Sequence, residues 1–263
     1  MRTDNYKNME IPKPTLGDVS AITIATPDLD KSFDFYHKLG FNELFRTDFP
    51  FPLIQISDGA LLMMLRKDDI PYIALTYYVR EIDTLAAGLE AEGIKFSSKP
   101  NPNDMIKKYL MKSPDGMNVS LVSFVDGFEH PKGASLLTTP PQDYSNPEKY
   151  VNKQCGLFGE LAHPVADIDK SMEFWSKLGF KQLSRMTSPY PWSIISDGLS
   201  IIGLHQTSNF TNPTITFFAS DMKDKIDKLK NEGLTGVTEK MGTANVTLAT
   251  PEGQSINLFK LGM

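Results

Sequence analysis

One feature restricts the possible folds of this chain more than any other: it contains an internal repeat. Asp28 to Phe41 reads Asp-Leu-Asp-Lys-Ser-Phe-Asp-Phe-Tyr-His-Lys-Leu-Gly-Phe, and it aligns with Asp167 to Phe180 at an offset of 139, with 9 of 14 positions identical. The same offset pairs Leu44 with Leu183, Arg46 with Arg185, Pro50 with Pro189, Pro52 with Pro191, and Ile56-Ser57-Asp58-Gly59 with Ile195-Ser196-Asp197-Gly198. Further on, Leu89 to Gly93 matches Leu229 to Gly233 at 140, and Ser113 to Gly116 matches Thr250 to Gly253 at 137, a drift that marks loop insertions. A period near 140 is too long for a solenoid, so the chain consists of two duplicated domains.

The boundaries follow from the repeat: an N-terminal arm at 1–16, module 1 at 17–125, a linker at 126–155 and module 2 at 156–263. The linker carries Gly127, Pro131, Gly133, Pro140-Pro141 and Asn146-Pro147, all breakers of regular structure. An apolar content of 40% is enough for two cores. Lysine and arginine number 27 against 32 aspartates and glutamates, and the positive charges are scattered, which argues against nucleic acid or an anionic membrane as partner. No apolar run approaches the roughly 18 residues of a membrane span, and Met1 to Lys7 lacks the apolar stretch of a signal peptide. A soluble, cytoplasmic protein is expected. Cys155, the single cysteine, permits neither an internal disulfide nor a multi-thiolate metal site.

Within each module the signals run strand, helix, three strands, helix, strand. Ser20–Thr26 and Glu160–Val165 read as first strands, followed by Asp28 and Asp167 as helix N-caps. Leu29, Phe33, Tyr36 and Leu39 form one helical stripe, as do Ile168, Met172, Trp175 and Leu178, and Gly40 and Gly179 close the helices. Asp58-Gly59 and Asp197-Gly198 are hairpin turns between β-rich runs.

These motifs resemble the vicinal oxygen chelate superfamily, which groups glyoxalase I, bleomycin-resistance proteins, extradiol dioxygenases and fosfomycin-modifying enzymes. The resemblance rests on Asp-Leu-x-x-Ser-x-x-Phe-Tyr-x-x-Leu-Gly-Phe at Asp28 to Phe41, its variant at Asp167 to Phe180, and the Pro-Asp-Gly and Pro-Glu-Gly turns at Pro114 and Pro251. It implies an α+β fold: two tandem glyoxalase-like βαβββ modules whose mixed sheets curve into cups, with helices on the outer face. It also implies a metal site in some members, built from His, His and Glu on three strands. The corresponding places here are expected at Ala21, Ala74 and Ser120 in module 1, and at Glu160, Thr214 and Asn257 in module 2. Neither set suits iron, nickel or zinc, so no metal cofactor is expected.

Among the histidines, His37 reads as a solvated helix residue and His130 belongs to the linker. His163 lies three residues from Glu160 and therefore on the opposite strand face; His205 closes its strand, where side chains often reach solvent. The stretches Pro189-Tyr190-Pro191-Trp192 and, in module 1, Phe49-Pro50-Phe51-Pro52 fall at equivalent turns that edge the cups, and the duplicated Arg46 and Arg185 serve either an anion or the scaffold. The leading expectation is a metal-free cup that binds a small organic molecule through Glu160, Thr214, Asn257, Tyr190 and Trp192, as in drug-binding resistance proteins. The alternative is an acid–base or metal-dependent lyase, isomerase or dioxygenase relative using Glu160 as the catalytic candidate, with His163 and His205. Two fused modules either close within one chain or exchange with a second copy, so a homodimer stays open.

Overall fold

The computed structural model describes residues 12–124, 151–234, 237–239 and 245–261. His130, most of the expected arm and most of the expected linker lie outside them. Module 1 runs β1 (Val19–Thr26), α1 (Leu29–Lys38), β2 (Asn42–Thr47), β3 (Leu53–Ser57), β4 (Leu62–Lys67), β5 (Ile73–Val79), α2 (Ile82–Ala91), β6 (Phe96–Ser98), β7 (Lys108–Lys112) and β8 (Asn118–Ser123). Module 2 repeats it with β9 (Leu157–Pro164), α3 (Ile168–Lys177), β10 (Lys181–Met186), β11 (Trp192–Ser196), β12 (Ile201–His205), β13 (Thr214–Ala219), α4 (Met222–Asn231), β14 (Val237–Glu239), β15 (Val246–Ala249) and β16 (Ser255–Lys260).

Each module forms one eight-stranded mixed sheet, ordered β2-β3-β4-β1-β5-β8-β7-β6 in the first and β10-β11-β12-β9-β13-β16-β15-β14 in the second. The βαβββ motif thus occurs twice in each module. Its two first strands, β1 and β5 or β9 and β13, pair antiparallel at the centre, and each pairs in parallel with the last strand of its own motif. The strands without a clear signal in the sequence are β2, β6 and β7 and their counterparts. They lie toward the sheet edges, where β2 is largely exposed and no apolar alternation is needed.

The helices form where the pattern places them. Asp28 accepts a hydrogen bond from the Lys31 amide, and Asp167 accepts from those of Asp169 and Lys170, satisfying donors that a helix start leaves free. Tyr36 and Trp175 are fully buried in a core shared by both modules, and Gly40 and Gly179 end their helices at φ +91° and +84°. A side chain at either glycine would meet a packed segment: Asn152 at Gly40 and Thr15 at Gly179. The described ends of the expected arm and linker are therefore built into the body. Leu16 and Cys155 are fully buried, Thr15 Oγ1 donates to the Leu178 carbonyl, and Asn152 Nδ2 donates to the Leu39 carbonyl.

The face of each sheet opposite the cup carries the helices, and there the modules meet. Phe41 of module 1 packs edge-on against Phe217 of module 2 at 6.5 Å, and Phe217 against Phe158 at 6.0 Å. A polar contact crosses the same boundary, Tyr77 donating to Asp197 at 2.6 Å, and the linker residue Asn152 donates to Asp58 of module 1 at 2.8 Å. Arg46 pairs with Asp30, and Arg185 with Asp169, at exposed sites. Both duplicated arginines thus tie a helix start to the neighbouring edge strand, which assigns them to the scaffold. No helix among the described residues is long and apolar enough to cross a membrane.

Candidate functional site

Strand alternation separates two faces of β9. Leu161 and His163 turn toward the shared core, while Glu160 turns into the cup of module 2. An extra residue, Gly159, bulges β9 against the Thr216–Phe217 step of β13 and returns Phe158, two residues from Glu160, to the core face; Thr216 stands opposite Glu160, and Asn257 on β16 pairs with Thr216. Thr214 lies on the same face one pleat further along, opposite Ala162, and its hydroxyl donates to the Asn212 carbonyl at 3.1 Å. In module 1 the same register aligns Ala21, Thr76 and Ser120, with Ala74 one pleat away. Counting along a strand finds the correct face, because side chains alternate with period two, but only the pairing of strands sets the level.

His205 was expected near solvent. It is instead buried at 8% exposure in the cup, because β12 pairs in parallel with β9 and aims it across Gly203 at Glu160. His205 Nε2 lies 2.9 Å from Glu160 Oε1, and His205 Nδ1 lies 3.2 Å from the Tyr190 hydroxyl. A neutral imidazole protonated at Nε2 satisfies both, donating to Glu160 and accepting from Tyr190. Burial first, then the Glu160 charge, push the Tyr190 phenol above its ordinary value, so it holds its proton. Trp192 stacks nearly parallel to the imidazole at 6.1 Å, and Phe210 meets its edge at 5.6 Å.

Gly203 makes this arrangement possible. A methyl group there would sit 2.5 Å from the Glu160 carboxyl carbon and 2.6 Å from His205 Nε2. The equivalent residue in module 1 is Met64, and that cup has Ala21 in place of Glu160. Gly203→Ala is predicted to force the carboxylate off the imidazole at a cost of about 1–3 kcal/mol. Proton NMR of the histidine rings should show the His205 resonances displaced; unchanged His205 resonances with unchanged stability would refute the assigned role of the glycine.

The remaining polar side chains support one another. Thr247 donates to Asn257 Oδ1 at 2.9 Å, and Asn257 Nδ2 approaches Thr216 Oγ1 at 3.5 Å. His163, on the far face, contacts Ser113 Oγ at 3.2 Å and has no part in the cup. The three strand places thus offer one carboxylate, one hydroxyl and one amide, and among the described residues no three His, Cys, Asp or Glu side chains converge. This donor set does not fit an iron, nickel or zinc ion, which requires three or more nitrogen, sulfur or carboxylate donors.

Fold and site together define a two-module protein of paired βαβββ motifs with a polar cup in module 2. Residues 19–121 match the model of the Glyoxalase/Bleomycin resistance protein/Dioxygenase superfamily, which places module 1 in that superfamily, and module 2 repeats the topology of module 1. Homoprotocatechuate 2,3-dioxygenase from Arthrobacter globiformis has a similar structure, with a TM-score of 0.62 at 14% identity over 96% of this chain and 82% of that one. The 2,3-dioxygenase LapB from Pseudomonas sp. KL28 gives 0.57 at 15% identity over 95% and 94%. A homoprotocatechuate 2,3-dioxygenase variant from Brevibacterium fuscum gives 0.59 at 13% over 96% and 73%. At these identities the likeness is one of fold. No curated protein matches the chain in sequence.

Proposed function

We propose that module 2 binds a small organic molecule in its cup without a transition metal. Glu160, His205 and Tyr190 form the polar end of that site, Trp192 its flat wall, and Thr216 and Asn257 its lateral hydrogen-bonding groups. The observation that carries the reading is the Glu160–His205 pair, 2.9 Å apart and enclosed by three aromatic rings, where metal-dependent relatives would need converging ligands. Buried carboxylates are expensive to leave without partners, and a ligand that donates a hydrogen bond to Glu160 while stacking on Trp192 uses both features.

The test is titration of chelator-treated protein with planar heteroaromatic amines, followed by tryptophan fluorescence. Trp175 is fully buried, so quenching reports on Trp192. Glu160→Gln, followed by the same quenching, and Trp192→Leu, followed by isothermal titration calorimetry, are each predicted to weaken binding by roughly 10- to 100-fold, the worth of a charge-assisted hydrogen bond or an aromatic anchor. Binding that requires added iron, zinc or nickel, or that persists unweakened in both variants, would overturn the reading.

The same pair favours a second reading, acid–base catalysis, because a carboxylate orienting an imidazole is the arrangement of a general base. In that case Glu160→Gln abolishes turnover of a bound compound while its affinity is kept.

A further inference from the structure

We propose that the cup of module 1 is a separate site for a small organic carboxylate, held by Arg66 and Lys108. This does not depend on the reading of module 2. Arg66 occupies on β4 the place that His205 holds on β12: it pairs with Leu53 as His205 pairs with Trp192. Its neighbour Leu65 and the β7 residue Met111 are buried in the shared core, so alternation turns Arg66 and Lys108 to the opposite, cup face.

The two cations meet around Tyr72. The Arg66 guanidinium lies 4.3 Å above the Phe51 ring with its charge bearing on the Tyr72 phenol, while Lys108 Nζ lies 6.0 Å from the Tyr72 ring. Arg66 Nε is buried with no hydrogen-bond partner among the described residues. Neither cation has a carboxylate within salt-bridge distance among those residues, and Asp68 is the acid that bears on Lys108 from further off. The charged and titratable groups around the pair are thus Arg66, Lys108, Asp68 and the phenols of Tyr72 and Tyr78. Burial, and next to it the Arg66 charge, hold the Lys108 ammonium down to about 8.

Two like charges turned into one concavity with too little counter-charge call for an anion. A guanidinium presents parallel N–H donors matched to the two oxygens of a carboxylate, and the ammonium adds a third contact. The cup also carries apolar surface from Leu53, Phe51 and Met64 for an organic body. Its floor hydroxyls are satisfied among themselves, Thr23 to Thr76 and Thr76 to Ser120 at 2.7 Å each, so they do not compete for the charge.

The experiment is isothermal titration of the full chain with sodium benzoate, with inorganic phosphate in parallel. Saturable benzoate binding is expected, weakened at least tenfold by Arg66→Met and by Lys108→Met and kept by Arg46→Met. In wild-type protein labelled with 13C-lysine, benzoate should move the Lys108 Cε titration midpoint upward from about 8. The proposal fails if benzoate neither binds nor shifts that midpoint, if phosphate binds in its place, or if both cup variants retain full affinity.

Discussion

Asp197→Ala is expected to destabilise the protein by on the order of 4 kcal/mol, because three buried donors lose their acceptor at once. Asp197 is fully buried and accepts from the amides of Leu199 and Ser200 at 2.9 and 2.8 Å and from the Tyr77 hydroxyl of module 1 at 2.6 Å. The first two bonds shape the β11–β12 turn; the third joins the modules. Burial holds the Asp197 carboxyl above its ordinary value, so the negative charge itself is costly and its acceptor geometry is what stabilises the fold. Asp197→Asn keeps an acceptor for the two amides and offers its Nδ2 to the Tyr77 oxygen, which can still donate to Ser200 Oγ at 3.2 Å. It is expected to cost about 1 kcal/mol or less. Urea unfolding of the two variants decides the matter: equal losses for alanine and asparagine would mean that the charge, not the acceptor set, matters.

The second large effect is acid destabilisation through His163. Burial, as the main cause, lowers this imidazole from 6.5 to about 4 in the folded protein. Its Nδ1 is buried without a partner among the described residues, and a proton there would create an unpaired internal charge. Above about 6.5 the ring is neutral in both states and costs nothing. Between about 6.5 and 4 the unfolded chain binds the proton and the native protein does not, so stability falls with falling pH by up to about 1.4 kcal/mol per pH unit. The full interval amounts to on the order of 3 kcal/mol. Asp58 and Asp197, both raised by burial, act with opposite sign at the acid end, since the native state holds their protons more tightly. Comparing wild type with His163→Gln across pH 7.5 to 4.5 separates the contributions. The variant should lose the descending limb above pH 4.5, and a retained limb would assign the effect elsewhere.

The candidate site was legible only in part. Glu160, Asn257, Tyr190 and Trp192 stand in or around the polar cup, and Glu160 could be read from its distance to the Asp167 cap. Thr216 required the strand register, since Thr214 has the same face and the same chemistry one pleat away. His205 required the parallel pairing of β12 with β9, which brings together residues 45 apart in sequence. The glycine at 203 was the available signal: inside an apolar strand run, a residue without a side chain marks room kept for something else.

The amino-acid sequence by itself determined the duplication, the capped helices with their buried Tyr36 and Trp175, and the Asp-Gly turns, because all of these are local: periodicity, capping and turn geometry act within about ten residues. Tertiary structure decided that those same turns would present Asp197 to module 1 and Asp58 to the linker residue Asn152, and that one cup would hold an acid–imidazole pair and the other two cations. Those outcomes depend on which strands pair and at what register, and pairing is settled by the burial of whole faces, which no local pattern contains.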